Sequence, residues 1–143
     1  MNVKILSFNG EAFVSNNVIS LSLMTGLGEI TILEKHAPLI TSIRPSTMYL
    51  IIRDENGVER RDDFAIGSGV VEVKDSQVKI MSDMLIDIED VSIHEAEHAR
   101  TFALELMQRY KDSSDRMDME RFIEAEDMLL KSIAQLKLYD LKK

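Results

Sequence analysis

The sequence has no cysteine and no tryptophan, contains only 2 prolines, and devotes 6% of its 143 residues to aromatic side chains. Without cysteine the chain forms no disulfide and offers zinc no thiolate ligand, which suits a reducing compartment. Its first residues lack a basic segment followed by an apolar one, so we expect no secretory signal. Serine and asparagine interrupt the longest uncharged stretch, residues 12–28. Because a membrane-spanning helix needs about 20 mostly apolar residues, we expect no direct membrane insertion.

Basic residues are also scarce, since 17 Lys and Arg face 25 Asp and Glu, for a net charge of −8. A protein that binds a phosphate backbone needs a basic patch, so we expect no nucleic-acid partner. The same excess of acid disfavours direct adhesion to anionic lipid, and we interpret it as a solvated surface. The apolar fraction of 45% is typical of a folded domain with a core.

The N-terminal part of the chain shows the period of two that is typical of β-strands. Leu21 and Leu23 alternate with serines, which places one face of the strand in a core and the other in water. Turn-forming residues separate the alternating segments, and Asn56-Gly57 is a strong hairpin signal. Many short strands without an intervening helix predict an antiparallel β-sandwich, which we place at residues 1–86. The other alternating pairs are Ile30 and Ile32, Val71 and Val73, and Val78 and Ile80.

After Asp90 the apolar residues recur every three or four positions, which is the period of an amphipathic helix. A turn-prone segment, residues 111–115, divides this pattern in two. We therefore predict an antiparallel helical hairpin at residues 90–140, joined to the sandwich by the acidic connection 87–90. The whole chain is thus expected to have an α+β fold. The first stripe contains Ala96, Ala99, Ala103, Leu106 and Tyr110, and the second contains Phe122, Ala125, Leu129, Ile133 and Leu136.

Both helical stripes are narrow and rich in alanine or methionine, although Phe102 and Met107 are expected to widen the first. Alanine lets helices approach closely but buries little apolar area, and burial contributes only about 25 cal/mol per Å². A two-helix hairpin with so thin a core needs further support. We therefore expect it to pack on another surface, which it can also leave.

Residues 28–39, GEITILEKHAPL, carry a distinctive pattern. They resemble the G-E-x-x-I/V-x-x-x-H-A-P-L loop of the epsilon subunits of bacterial F-type ATP synthases. Residues 65–73 are similar to the strand of that family that contains a double glycine, and residues 78–83 to its strand that ends in aspartate. Residues 133–137 resemble the end of the family's second helix. The resemblance therefore covers essentially the whole chain, in order.

The resemblance implies a non-catalytic subunit without a cofactor. In this family the sandwich binds the central gamma shaft and rests on the ring of c subunits, at the cytoplasmic face of the bacterial inner membrane. The helical hairpin either lies folded on the sandwich or extends along the shaft toward the alpha and beta subunits. The extended form blocks ATP hydrolysis in many bacteria. The implied function is to couple shaft and ring, so that proton-driven rotation reaches the catalytic head.

The resemblance also implies a partner-binding region made of Glu29, His36, Ala37, Pro38 and Leu39. Pro38 fixes its own φ and disfavours a helix before it, so this loop should present a rigid surface. Glu29 would place a carboxylate against polar loops of the ring. The alternative for these residues is a solvated glutamate and a loop histidine with local hydrogen bonds. In the hairpin, the basic residues implied to face an acidic segment of the beta subunit are Arg100, Arg109, Arg116 and Arg121.

Two segments depart from the family pattern. Some epsilon subunits bind ATP at the first helix through an I/L-D-x-x-R-A motif, whereas residues 91–96 read VSIHEA here. Ser92 replaces the acid and Glu95 replaces the arginine, and a glutamate would repel a phosphate where an arginine would bind it. ATP binding by this chain is therefore not expected. Gly67-Ser68-Gly69 also replaces a double glycine, a change that we expect to cost nothing if Gly69 keeps the special backbone angle.

A competing signal is His94-Glu95-x-x-His98, which fits the H-E-x-x-H motif of zinc metallopeptidases. Two histidines four residues apart share a helix face and bind zinc, while the glutamate acts as general base. Glu120 or Glu124 on the next helix would be the third ligand. Charged residues around the motif are atypical of zinc peptidases, so we interpret these side chains as solvated and expect no metal site.

A third interpretation is a free-standing sandwich that binds a protein partner. The composition permits this interpretation. Nothing in the chain resembles a nucleophile with its base or a phosphate-binding glycine loop. The interpretation leaves the ordered family resemblance unexplained.

Overall fold

The computed structural model describes residues 1–10 and 12–142, and within them ten strands precede two helices. This order confirms the predicted α+β fold, a β-sandwich followed by a helical hairpin. Neither helix of the described residues is both long and apolar enough to cross a membrane. The strands are β1 (Asn2–Ser7), β2 (Ala12–Ser15), β3 (Val18–Thr25), β4 (Gly28–Leu33), β5 (Leu39–Ile43), β6 (Ser46–Arg53), β7 (Glu59–Ile66), β8 (Gly69–Lys74), β9 (Gln77–Ser82) and β10 (Leu85–Asp87). The helices are α1 (Ile93–Tyr110) and α2 (Arg116–Lys142).

The strands form two layers, which we call the first and the second sheet. The first sheet has the order β4-β3-β6-β7-β10, and the second has the order β5-β8-β9-β1-β2. The layers are joined at one corner, where Thr25 of β3 pairs with Ile43 of β5. Among the described residues, all paired strands run antiparallel except β1 and β9, which are parallel. This pair departs from the all-antiparallel prediction, because a strand's alternation does not record the direction of a partner far away in the chain.

Inward-facing residues of both sheets form one main core. Leu21 contributes from the first sheet and Ile5 from the second, and both are fully buried. Phe13 of β2 meets Phe64 of β7 edge to face, with ring centroids 5.4 Å apart, which connects the two layers. The other buried members are Val3, Val18, Leu23, Ile32, Ile43, Met48, Leu50, Ile52, Ile66, Val71, Val73, Val78, Ile80 and Leu85.

Gly57 and Gly69 are required for two different reasons. Gly57, in the predicted hairpin between β6 and β7, has a φ of 79°, which glycine adopts without strain. The condition that Gly69 keeps a special backbone angle is not met, because its φ is not positive. Gly69 is instead needed for space, since a Cβ built there would lie 1.9 Å from the carbonyl oxygen of Met81.

The helical hairpin begins at a well-formed cap. The hydroxyl of Ser92 accepts a hydrogen bond from the Glu95 amide at 3.3 Å, as an N-cap residue does. Ala96 and Ala103 of the predicted stripe are buried. Phe102 does not widen this stripe, because it lies one position off the alanine seam and is 47% exposed.

The hairpin lies folded on the outer face of the first sheet, where α2 packs over β6 and β7. A second apolar cluster forms there from Ala65, Met84, Val91, Ala134 and Leu138. This surface is the support that the thin alanine stripes predict. The helix α2 therefore has a buried face toward the sheet in addition to the stripe that the periodicity predicts.

Candidate interaction surfaces

The predicted contact loop leads from β4 into β5. The His36 amide donates to the Leu33 carbonyl at 3.1 Å, which closes a turn after β4. The Nδ1 atom of His36 lies 2.7 Å from the Ala37 carbonyl oxygen, so the tautomer with a proton on Nδ1 donates there. Ala37 and Pro38 are exposed, whereas Leu39 is half-buried against the main core. The loop is thus held at both ends and presents its middle to solvent.

Glu29 lies near the start of β4, opposite Met24 of β3, and its side chain is exposed. The contact loop starts beyond the other end of β4, after Leu33. At about 3.3 Å per residue, Glu29 and Leu33 are about 13 Å apart. The structure therefore does not bring Glu29 together with His36 but places them at opposite ends of one edge strand.

A row of exposed apolar side chains crosses the outer face of the second sheet. Met81 of β9 pairs with Val70 of β8 on one side and with Leu6 of β1 on the other. All three side chains are exposed, Met81 by 54%. We call Leu6, Val70 and Met81 the apolar row. Because soluble monomers rarely expose extended apolar patches, the apolar row is a candidate partner surface.

A second row of outward-facing residues runs beside the apolar row and has charges at its centre. It begins at Ile40 of β5, which is 71% exposed and follows directly on the contact loop. The contact loop therefore lies at one edge of the face that carries the apolar row. In the order of pairing, the second row contains Ile40, Glu72, Lys79, Lys4 and Val14.

The sequence analysis missed the apolar row, although it contains a weak signal for it. Apolar doublets occur in three strands of the second sheet, at Ile5-Leu6, Val70-Val71 and Ile80-Met81. In a strand, neighbouring residues point to opposite faces. A doublet therefore places one apolar residue in the core and one on the outer face, where only a partner would cover it.

A cluster of polar groups connects α2 to two loops of the sandwich. The Lys131 ammonium lies 2.7 Å from Asp83 Oδ2, between β9 and β10, and 2.9 Å from Asp127 Oδ2, one turn earlier on α2. The hydroxyl of Ser68, between β7 and β8, donates to Asp127 Oδ1 at 2.8 Å. We call Ser68, Asp83, Asp127 and Lys131 the polar clamp. Sequence analysis missed it, because its members are brought together only by the docking of α2.

The polar clamp shifts the pKa of its lysine. Burial alone would lower the pKa of Lys131, but its hydrogen bonds and charge attraction to Asp83 and Asp127 raise the pKa above the ordinary value of 10.5. Because docking raises the pKa of Lys131, the protonated lysine stabilises the docked state. This contribution is complete at pH values below the ordinary pKa of 10.5. That contribution is lost as the pH rises through the raised value. The Lys131 ammonium therefore keeps its charge at neutral pH.

The four basic residues predicted for regulation all lie on the surface of the hairpin. Arg116 pairs with Glu120 at 3.8 Å, and Arg121 pairs with Asp118 at 3.7 Å. Exposed pairs of this kind contribute only about 0.3–0.5 kcal/mol, so a stronger acidic partner would replace them. The exposed arginines are Arg100 and Arg109 on α1, and Arg116 and Arg121 on α2.

Among the described residues, the two glutamates predicted as third zinc ligand do not lie beside the histidines of the H-E-x-x-H motif. His94 and His98 are exposed on the first turns of α1. The proposed ligands Glu120 and Glu124 lie near the start of α2, which is beside the other end of α1, where Arg121 approaches the Tyr110 ring. Across residues 1–10 and 12–142, no group of three or more metal-ligating side chains is close enough to hold an ion.

Comparisons with known proteins match both parts of this architecture. A family model described as the beta-sandwich domain of the ATP synthase delta/epsilon chain matches residues 1–88. The ATP synthase epsilon chain of Hydrogenovibrio crunogenus is 34% identical over 115 residues, which cover 80% of this chain and 76% of that protein. The epsilon chain of Stenotrophomonas maltophilia is 30% identical over 131 residues, which cover 91% of this chain and 81% of that protein.

Two solved structures share the fold. A chain in the Euglena gracilis mitochondrial ATP synthase, a structure of OSCP, F1 and c-ring, matches with a TM-score of 0.67 at 19% identity, covering 94% of this chain and 78% of that one. A chain in the central stalk and c-ring structure of the Tetrahymena thermophila mitochondrial ATP synthase matches with a TM-score of 0.52 at 18% identity, covering 64% and 69%. At these identities the similarity concerns the fold.

Proposed function

Because this chain belongs to the ATP synthase delta/epsilon chain family, as a non-catalytic subunit of the complex, we propose that it couples the gamma shaft to the c ring in the central stalk. The observation that carries this proposal is the uncovered apolar row on the second sheet. A coupling subunit must hold two partners at once, and the sandwich offers two separate surfaces. The protein would then be peripheral, held at the cytoplasmic face of the membrane through its partners.

The second sheet is the surface that we assign to the gamma shaft. Stable interfaces combine an apolar centre with a polar rim, and they bury about 800 Å² per partner. The apolar row supplies the centre, and the charged residues Lys4, Glu72 and Lys79 beside it supply part of the rim. The contact loop extends this surface at the β5 edge, because Ile40 follows it directly.

Glu29 is the residue that we assign to the c ring. It lies at the opposite end of β4 from the contact loop, next to the tight turn between β3 and β4. In that turn Leu27 is 79% exposed, and the Thr25 hydroxyl donates to the Gly28 carbonyl oxygen at 2.7 Å. A carboxylate held on such a turn is suited to polar loops of a neighbouring subunit.

Loosening the contact loop is expected to weaken the complex with gamma. The double variant His36→Ala, Pro38→Gly loses the hydrogen bond to Ala37 and gains conformational freedom that binding must remove. We expect about a tenfold rise in Kd, or about 1.4 kcal/mol, in a titration of purified chain with its gamma subunit. Leu27→Ala, in the turn assigned to the ring, should bind gamma normally. Unchanged binding by the double variant would refute the loop assignment.

The hairpin is proposed to regulate the enzyme by leaving the sandwich and presenting its arginines to the alpha and beta subunits. Truncation after Glu89 is expected to leave a folded sandwich, because the main core ends at Leu85. In reconstituted vesicles the truncated chain should support ATP-driven proton pumping and relieve inhibition of ATP hydrolysis. A full-length chain with all four arginines changed to glutamine should relieve inhibition equally. Loss of proton pumping on truncation would show that coupling itself needs the hairpin.

A further inference from the structure

We propose that the polar clamp holds α2 on the first sheet and that its balance of charge sets how often the hairpin leaves the sandwich. The clamp joins two groups of the sandwich, on Ser68 and Asp83, to two groups of the helix, on Asp127 and Lys131. It is a property of the isolated chain. Only the consequence of release for the enzyme rests on the proposed function.

The apolar part of the docking surface is small, which makes the clamp important. Among the described buried members of the second apolar cluster, Ala65 and Ala134 are alanines and only Leu138 is both large and fully buried. Ile86, Ile88 and Tyr139 pack against this cluster but are only partly buried. Two further polar contacts of α2 are long, since the Gln135 amide donates to the Met84 sulfur at 3.4 Å and the Lys142 ammonium donates to the Glu89 carbonyl at 3.3 Å. A modest loss of attraction at the clamp therefore shifts the docking equilibrium.

The clamp places one cation between two anions. Asp83 and Asp127 each approach the same ammonium to within 2.9 Å, and the three side chains are only 25–35% exposed. Asp83 Oδ1 is buried and accepts no hydrogen bond from any residue in 1–10 or 12–142, so among these residues the attraction of this carboxylate to Lys131 acts through Oδ2. Removing the lysine charge would leave two partly buried carboxylates facing each other, and breaking a buried pair on one side is more costly than losing a surface pair.

The sandwich side of the clamp is positioned by a glycine. The Asp83 amide donates to the Ser68 carbonyl at 3.0 Å, which fixes the two loops to each other. A Cβ built on Gly67 would lie 1.9 Å from Asp83 Oδ1. Gly67→Ala should therefore displace the Asp83 carboxylate from Lys131, which gives a second way to open the clamp without changing α2.

The absence of cysteine allows a direct test with single engineered thiols. Ala65→Cys places a thiol beneath α2, and Val71→Cys places one in the main core between the sheets. Adding Lys131→Met should raise the rate at which a water-soluble disulfide reagent modifies Cys at position 65 by about tenfold, which corresponds to about 1.4 kcal/mol. At the same fixed pH, the thiol at position 71 should react no faster, because the sandwich stays closed.

Matched variants distinguish the loss of the clamp from a general loss of stability. Lys137→Met changes an exposed lysine of the same helix and should leave both rates unaltered, and Lys131→Arg keeps the charge and should keep the thiol protected. Gly67→Ala should repeat the tenfold rise. If Ala65→Cys does not fold, Met84→Cys reports on the same cluster. An unchanged rate with Lys131→Met, or an equal rise at both thiols, would overturn the proposal whether or not the chain binds gamma.

Discussion

Replacing Met81 with glutamate is expected to abolish stable binding to the gamma subunit while leaving the sandwich folded. Met81 is the middle residue of the apolar row, between Val70 and Leu6, and its side chain is already exposed in the isolated chain. Burying a methionine contributes about 1.5–3 kcal/mol to an interface, and burying an unpaired carboxylate in its place adds a further cost. We expect Kd to rise by about 100-fold or more, which is about 2.7 kcal/mol, in calorimetric titration.

Val58→Glu is the matched control for this experiment. Val58 is 61% exposed in the turn between β6 and β7, so the same change in chemistry occurs outside the second sheet. Both variants should unfold at nearly the wild-type temperature, and Val58→Glu should bind gamma normally. Normal binding by Met81→Glu would exclude the apolar row as the shaft surface and leave the contact loop as the remaining candidate.

Strand positions were predictable because a half-buried strand repeats its environment every two residues. Val71 and Val73 are buried and Glu72 between them is exposed, as the alternation requires. The pairing of strands was less predictable, since it joins segments far apart in the chain. The parallel pair β1 and β9 brings Val3 beside Val78, and no local pattern encodes the relative direction of such strands.

The sequence did not predict the face of α2 that packs on the first sheet, and the reason is different. Asp127 and Lys131 lie on the same side of α2 as Ala134 and Leu138, at successive spacings of four, three and four residues, yet a periodicity analysis assigns charged residues to the solvent side. The Lys131 ammonium lies 2.7 Å from Asp83 and 2.9 Å from Asp127, so these charges are paired where the helix docks. Ala134 and Leu138 complete a face that sequence hydrophobicity alone does not distinguish from the stripe toward α1.

The contact loop and the apolar row also differ in how far the sequence predicts them. The contact loop could be predicted from the sequence because its motif is contiguous, and Leu39 begins β5, the first strand in the order of the second sheet. The apolar row joins β1, β8 and β9, so it becomes a surface only after the strands pair. The predicted partner region also contains Glu29, which the fold separates from His36. A short sequence distance within a motif thus does not imply a shared surface when a strand lies between its ends.

Replacing Gly69 with alanine is expected to destabilise the whole chain by about 3 kcal/mol or more, which lowers the unfolding temperature by about 10 °C. The added Cβ would lie 1.9 Å from the Met81 carbonyl oxygen and 2.8 Å from the Ser82 Cα. These are backbone atoms of the paired strand, so relief requires the β8–β9 ladder to separate. Calorimetric or circular-dichroism melting of the purified variant measures the loss.

Gly26→Ala tests whether this cost comes from the backbone contact. A Cβ on Gly26 would lie 2.5 Å from the Ser42 hydroxyl oxygen, which is the end of a side chain that can rotate away. We expect a loss of about 1 kcal/mol or less there, and equal losses at both glycines would contradict the argument. Gly69 permits the close approach of β8 to β9, and it directly precedes Val70. The same approach places Val70 against Met81. A stabilising background that rescues the folding of Gly69→Ala should therefore not fully restore gamma binding.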